Sequence, residues 1–418
     1  MAEVINFEIG PENEVQLLQK FKRFQIKYLA VYLTVMGADW LQGPYLYKLY
    51  DSYGLGLTHI AMLFLTGFIS SAFAGTAVGS LADTCGRKRI CIVFCFTMIS
   101  ALLLRLINQY MLLFFSHVLS GLSTALLYSV FESWYVSEHA RYEFPAEWRA
   151  RTFALATFFN SVVAIVAGVF ANTLVNIWGF KAPYIASMLL VVLVGFMVTT
   201  TWSENYGSSR FRDVKLASTL KSGLLTVIQN RNITILSIAQ TFFECSMYIF
   251  VLLYTPAVES VISSDAEIPL GYLFSTMMVA IMVGSMCFQL FERQAKTGPR
   301  CFLHFKEDRL LSMSLGLASC AFMLMAYFGD SSAIFLVLAY HVFEFSTGLY
   351  HPSISSLKAE AIPEETRAAV MTLLRIPMNL GVGIIMWHVD DLSTAMMFSI
   401  CGVMTSIGCF IVIALYDK

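Results

Sequence analysis

Charge is what this sequence has least of: 13% of its 418 residues are Asp, Glu, Lys or Arg, and the formal net charge is −1. A soluble domain carries about twice that share, so the chain cannot cover a water-facing surface, and so near-neutral a balance excludes nucleic acid as an expected partner. The nine cysteines lie mostly inside apolar runs and form no CxxC pair. They read as small buried residues, and no disulfide framework or metal site is expected. H-E-x-x-H and any nucleophile–base pair are also missing from the apolar runs, so an enzyme is not expected and no cofactor is called for. Polar stretches are scarce as well: none exceeds residues 202–232, which leaves no room for a second soluble domain. Residues 1–19 are polar and acidic, and the first apolar run lacks a small-residue cleavage site, so it is expected to stay in the mature protein.

What fills the chain is apolar sequence: 57% of residues are hydrophobic and the mean hydropathy is +0.69. Windows of about 19 residues give twelve spans, at 28–50, 59–80, 90–107, 112–136, 153–175, 183–201, 233–258, 270–291, 309–328, 333–357, 368–389 and 393–416. The expected fold class is therefore an all-α multi-pass membrane protein of twelve transmembrane helices in two six-helix bundles. It divides into a segment 1–27, a first bundle 28–201, a central loop 202–232 and a second bundle 233–416. One side of the membrane would hold 23 of the 27 basic residues, the other mainly acids such as Asp51, Glu259, Asp390 and Asp391 with Lys181 as its one base. The positive-inside rule then puts both termini in the cytoplasm, where the sequon at Asn232 is not glycosylated. A cell-membrane protein acting as a monomer in the lipid bilayer is expected.

The halves echo one another. Span four carries Ser123-Thr124 and is followed by Pro145-x-Glu147-x-Arg149; span ten carries Ser346-Thr347 and is followed by Pro363-x-Glu365-x-Arg367, about 220 positions on. Span one (Asp39, Tyr50) and span seven (Glu244, Tyr254) match more loosely at about 205. Internal repeats of this kind place transporter sites at the interface between repeats.

A carboxylate at the centre of a lipid-facing helix costs about 2.5–3.5 kcal/mol, so such residues persist mainly where they face protein or water. Four are strongly intramembrane: Asp39, Glu132, Glu244 and Glu344, one in every third span. At about 100° per residue, Tyr32, Asp39, Gln42, Gly43 and Tyr50 share a face, with Lys48 pointing away to the interface. Ser237, Gln240, Glu244, Tyr248 and Thr255 share another, and Tyr340, His341, Glu344, Thr347, His351 and Ser355 a third. Gly121, Tyr128, Ser129, Glu132 and Tyr135 form the fourth, with His117 at its edge. Four polar stripes describe a wet cavity, and the four acids are candidate proton carriers. The competing reading is that they pair with bases or hydroxyls to fix helix packing. Arg375 lies well inside span eleven with Asn379 a turn away, and its guanidinium suits an oxyanion bidentately. Otherwise it is a structural partner of Glu244 or Glu344. Arg105, near the end of span three, is expected to snorkel to the interface. Pro44 and Pro377 read as kinks.

The loop GSLADTCGRKR at 79–89 resembles the major facilitator signature at Gly79, Asp83, Gly86, Arg87 and Lys88, with Thr84 departing from the usual base. Asp83 can accept bonds from neighbouring bases, and the bases can anchor the loop at an anionic leaflet. In that superfamily the first, fourth, seventh and tenth helices line the central cavity. GADWLQGPYLYKLY from Gly37, LSGLSTALLYSVFESWY from Leu119, FPAEW at 144–148, the pattern from Glu344 to Pro352 and Arg375-Ile-Pro377 are similar to the molybdate-anion transporter branch. The resemblance implies uptake of molybdate, a tetrahedral dianion. His117 stands where that branch carries an arginine, and span five lacks the antiporter G-x-x-x-G-P run, which disfavours exchange.

Four acids would repel a dianion if all were ionised. A dianion entering a cell negative by 100 mV also costs about 4.6 kcal/mol unless charge moves with it. Protons answer both difficulties, since a neutral carboxyl donates to the anion's oxygens. The expectation is proton-coupled import of molybdate by alternating access. Arg375, Asn379, Gln42, Tyr50, Tyr248 and His341 would be substrate contacts, and Asp39, Glu132, Glu244 and Glu344 proton carriers. A carrier of a cationic or neutral organic solute, and a nutrient-sensing transceptor with little flux, remain alternatives.

Overall fold

The computed structural model describes residues 11–207, 216–262, 268–297, 307–329, 331–363 and 366–416. Parts of the expected terminal segment (1–10) and central loop (208–215) lie outside the described residues, as does Glu365 of the second P-x-E-x-R. The first half consists of α1 (Pro11–Trp40), α2 (Leu46–Asp51), α3 (Leu57–Cys85), α4 (Arg87–Arg105), α5 (Tyr110–Arg141), α6 (Ala146–Trp178) and α7 (Ala182–Thr201). The second consists of α9 (Arg231–Val261), α10 (Leu270–Thr297), α11 (Glu307–Phe328), α12 (Ala333–Ala361), α13 (Arg367–Trp387) and α14 (Thr394–Leu415), preceded by α8 (Leu216–Gln229).

These segments are helices because long apolar runs leave the backbone no partner in lipid but itself. Among the described residues nine are long and apolar enough to cross a membrane, and they expose large apolar side chains, Phe73 at 76% and Phe410 at 70%. Patches like these would not stay dispersed in water, and in a bilayer they meet lipid.

Three features depart from the sequence reading. The first span is two helices. Its ladder tightens into i→i+3 bonds from Gln42 to Asp39 and Gly43 to Trp40, and Pro44 then offers no N–H to continue it. At its other end α1 runs back to Pro11, and Phe21 and Phe24 pack against Tyr142, Phe144 and Trp148, so residues 11–27 are part of the first bundle. The central loop contains α8, packed on α13 and α9, with Thr234 Oγ1 donating to Val227 O at 2.6 Å.

Inside the first bundle α3 and α4 pack on α5, and α1 packs on α6 and α7; inside the second, α10 and α11 pack on α12, and α9 on α13 and α14. The repeat is visible in atoms. A methyl on Gly121 of α5 would run into the Gly67 carbonyl of α3, and one on Gly348 of α12 into the Ile281 carbonyl of α10, so the equivalent helix pair is drawn together by a glycine in each half. The halves meet along α3–α13 and α6–α10.

Candidate functional site

Contacts between the halves concentrate at the end away from the termini. There the Lys48 ammonium sits 2.8 Å from Glu259 and 3.3 Å from Asp51, Tyr254 OH donates to Pro44 O at 3.4 Å, Gly271 N–H donates to Tyr45 OH at 3.3 Å, and Thr58 donates to Asp390. Lys48 therefore does not point to the interface as its position on the helical wheel suggested; the break at Pro44 turns α2 so that its lysine bridges to α9. Deeper in the seam, the Phe68 and Tyr248 rings lie 4.1 Å apart, and Arg375 NH1 comes within 3.2 Å of where a Cβ on Gly75 would stand. At the termini end a cavity of about 550 Å³ opens beside Tyr128, Ser129, Glu132, Ser133 and Arg87.

Charge reversal tests this closed end. Each partner of the Lys48–Glu259 pair is 26% exposed, so the pair contributes at most about 1 kcal/mol. Lys48→Glu is expected to raise labelling of a cysteine placed at Leu55 about fivefold, and Lys48→Glu with Glu259→Lys to restore the parent rate.

The second bundle gathers a polar cluster of its own. Lys358 of α12 is only 8% exposed, and its ammonium donates to Gln240 Oε1 of α9 at 3.1 Å. One turn along α9, Glu244 accepts from Tyr350 OH at 3.4 Å, and Tyr350 is held by Phe243 stacked 3.8 Å away at 11°. The charges acting on Glu244 are those of Lys358 and Arg375. Arg375 is exposed to the seam, and Asn379, its neighbour on α13, keeps a buried Oδ1 with no partner. Glu244, Tyr248 and Arg375 thus act on one another, and Asn379 lies one turn from Arg375 on α13. Lys358 was missed: it lies one residue past the expected end of span ten and was counted among the loop bases. The signal was its spacing of seven from His351 and fourteen from Glu344, which keeps all three on one helix face.

In the first bundle Asp39 is half-buried and its carboxylate makes no hydrogen bond to a described residue; the cation acting on it is Arg105. Arg105 does not snorkel. It is 2% exposed, donates to Gln42 Oε1 at 2.7 Å and Ser120 Oγ at 3.2 Å, lies 5.8 Å over the Tyr184 ring, and leaves its Nε unpartnered. Gln42 and Tyr50 do not share the open face with Asp39, because the 100° projection fails beyond Trp40. Gln42 turns inward to Arg105 and Ser187, and Tyr50, fully buried, meets His117 Nε2 at 2.7 Å. His341 is tied to its own helix through Val337 O at 2.7 Å. Glu344 is buried near the closed end, with no hydrogen bond or ion pair to any described residue. Glu132 alone of the acids opens on the termini-side cavity.

The signature loop is a clamp. Asp83 accepts from Arg87 Nε and NH2 at 3.1 and 2.7 Å, Lys88 Nζ caps α7 through Thr199 O and Trp202 O at 2.9 and 2.8 Å, and Glu204 accepts from Lys88 N–H at 2.9 Å. Gly86 is required, since φ is +100° and a Cβ would strike Glu204. Asp83 accepts as expected, but Arg87 and Lys88 are committed within the bundle instead of to the leaflet. Gly79 lies in α3.

Two six-helix bundles in contact along two helix pairs, with buried ionisable side chains at the seam, define a multi-pass membrane transporter of the major facilitator fold. A solved point mutant of the nucleoside transporter NupG superposes with a TM-score of 0.76 at 12% identity, over 94% of this chain and 100% of that one. A family model described as sugar transporters with 12 TM spans matches residues 2–341. A molybdate-anion transporter of Xenopus tropicalis is 33% identical over 407 residues, 95% of this chain and 86% of the relative, and one of Takifugu rubripes is 31% identical over 444, covering 97% and 90%. The chain belongs to the molybdate-anion transporter family of the major facilitator superfamily.

Proposed function

We propose that the protein imports the molybdate oxyanion by alternating access, coupled to protons, across the cell membrane, as a monomer with both termini in the cytoplasm. The observation that carries this reading is Lys358, buried and bonded to Gln240 one turn of α9 from Glu244, with the Arg375 charge acting on the same carboxylate. Two cations match a dianion. While empty, the site balances them partly with the Glu244 carboxylate, which a dianion would oppose; a proton on Glu244 removes the opposition and frees both cations. Proton and anion then enter together, which offsets the electrical cost of importing a dianion. Tyr248 OH and the Asn379 amide N–H are the donors that complete the contacts with oxygen, while Gln42 and Tyr50 act from behind by holding Arg105 and His117. Asp39, Glu132 and Glu344 are further proton sites.

The closed far end and the cavity beside Glu132 correspond, in this orientation, to an inward-facing state. Glu344 and Asp39, with no bonded cation, favour a second reading as carrier of a cationic or neutral organic solute. Uptake of molybdate against sulfate, in cells lacking their own carriers, separates the two. Wild type is expected to accumulate molybdate, and Arg375→Ala to lose at least tenfold of that uptake. No molybdate uptake by wild type overturns the anion reading.

A further inference from the structure

A second basic site lies outside the seam. Where α1 leaves the first bundle toward the termini, Lys20, Arg23 and Lys27 line one side of a recess of about 300 Å³, and Trp134 and Tyr142 of the α5 end line the other. The three cations follow at intervals of three and four, so one helix face presents them together. All three are exposed, and none has a hydrogen bond or ion pair to a described residue; the Lys20 ammonium lies over the Tyr142 ring, 4.7 Å from its centroid. The acid on the wall, Glu138, is 1% exposed and paired through Oε1, which accepts from Asn205 Nδ2 at 3.2 Å and Arg141 NH1 at 3.3 Å. Trp134 is stacked 3.7 Å from Trp202 and bonded through its Nε1 to Ser203 O, which makes that wall rigid and apolar.

We propose that this recess binds a phosphomonoester dianion. Three cations with no carboxylate partner among the described residues, one of them a planar fork, exceed what a single carboxylate would balance and match a group carrying nearly two charges and three acceptor oxygens. The depth also fits: the recess sits where a spanning helix emerges toward the termini, which is headgroup level for a bilayer around the apolar faces. The same chemistry is offered by phosphatidic acid and by free inorganic phosphate, and this proposal is independent of what the seam carries.

The test uses the full-length chain in phosphatidylcholine nanodiscs with and without phosphatidic acid, read by native mass spectrometry of retained lipid and by the thermal midpoint. Wild type is expected to retain phosphatidic acid over phosphatidylcholine, and Lys20→Gln/Arg23→Gln/Lys27→Gln to lose about tenfold of that retention. Lys22→Gln, exposed off the recess, and the charge-keeping Lys20→Arg/Lys27→Arg should retain as wild type does. Displacement of the lipid by millimolar phosphate, with equal thermal protection, assigns the site to the free anion; retention despite phosphate assigns it to the lipid. Failure of both probes to bind, or a triple glutamine variant that retains lipid like wild type, overturns the proposal.

Discussion

Lys358→Met is expected to lower molybdate uptake about tenfold to a hundredfold, with the amount of monodisperse protein unchanged. The expectation follows from burial. At 8% exposure the ammonium is largely out of water and has one bonded partner, the Gln240 carbonyl oxygen. Its charge is spent on the Glu244 region and on whatever enters the seam. A hydrogen bond to a charged group contributes about 1.5–3 kcal/mol, which is roughly that span of affinity. Methionine keeps the stem and the packing, so the loss should fall on anion binding and appear in KM for molybdate. The coupling to Glu244 adds a sharper check. In Lys358→Met the carboxylate competes for Arg375 with no second cation to share it, so adding Glu244→Gln should recover part of the loss. Single effects that simply add would mean that Lys358 and Glu244 do not act on one ligand.

Lys358 also marks where reading along the chain stops being enough. Twelve spans, two halves and four intramembrane acids were legible, because lipid imposes long uncharged runs and any charge inside one stands out. The boundary of a run is less informative: a lysine one residue past the window looks like a loop base, yet α12 continues to Ala361 and carries it inside the bundle. Arg105 shows the complementary failure. Its place near a helix end suggests a head turned to water, and only the break after Trp40 brings Gln42 to meet it at 2.7 Å. Helical projection assumes an unbroken axis, so it grouped Tyr50 with Asp39 although a proline stands between them. The signature loop was recognisable by residue type, but its partners, Glu204 at the end of α7 and the α7 carbonyls, come from more than 110 positions away. No local pattern encodes a contact of that range.

Glu244→Gln should change the shape of the pH profile more than any other single substitution. In the wild type, uptake is expected to rise as external pH falls, because the proton that neutralises Glu244 travels inward with the anion and releases Lys358 and Arg375 to hold it. Glutamine has the form of the neutral acid at every pH, so the variant should bind molybdate well, show uptake nearly level across pH 5.5–8, and lose concentrative accumulation. The sign matters. If glutamine instead abolished binding altogether, the carboxylate would be a direct contact for a positively charged solute, and the organic-cation reading would stand. Asp39→Asn and Glu344→Gln provide the internal comparison. Asp39 faces Arg105 without a bond and Glu344 has no cation partner among the described residues, so neither neutralisation frees a charge pair in the seam. If either variant, and not Glu244→Gln, levels the profile, the coupling proton rides on that residue, and the Lys358–Arg375 pair binds the anion without help from Glu244.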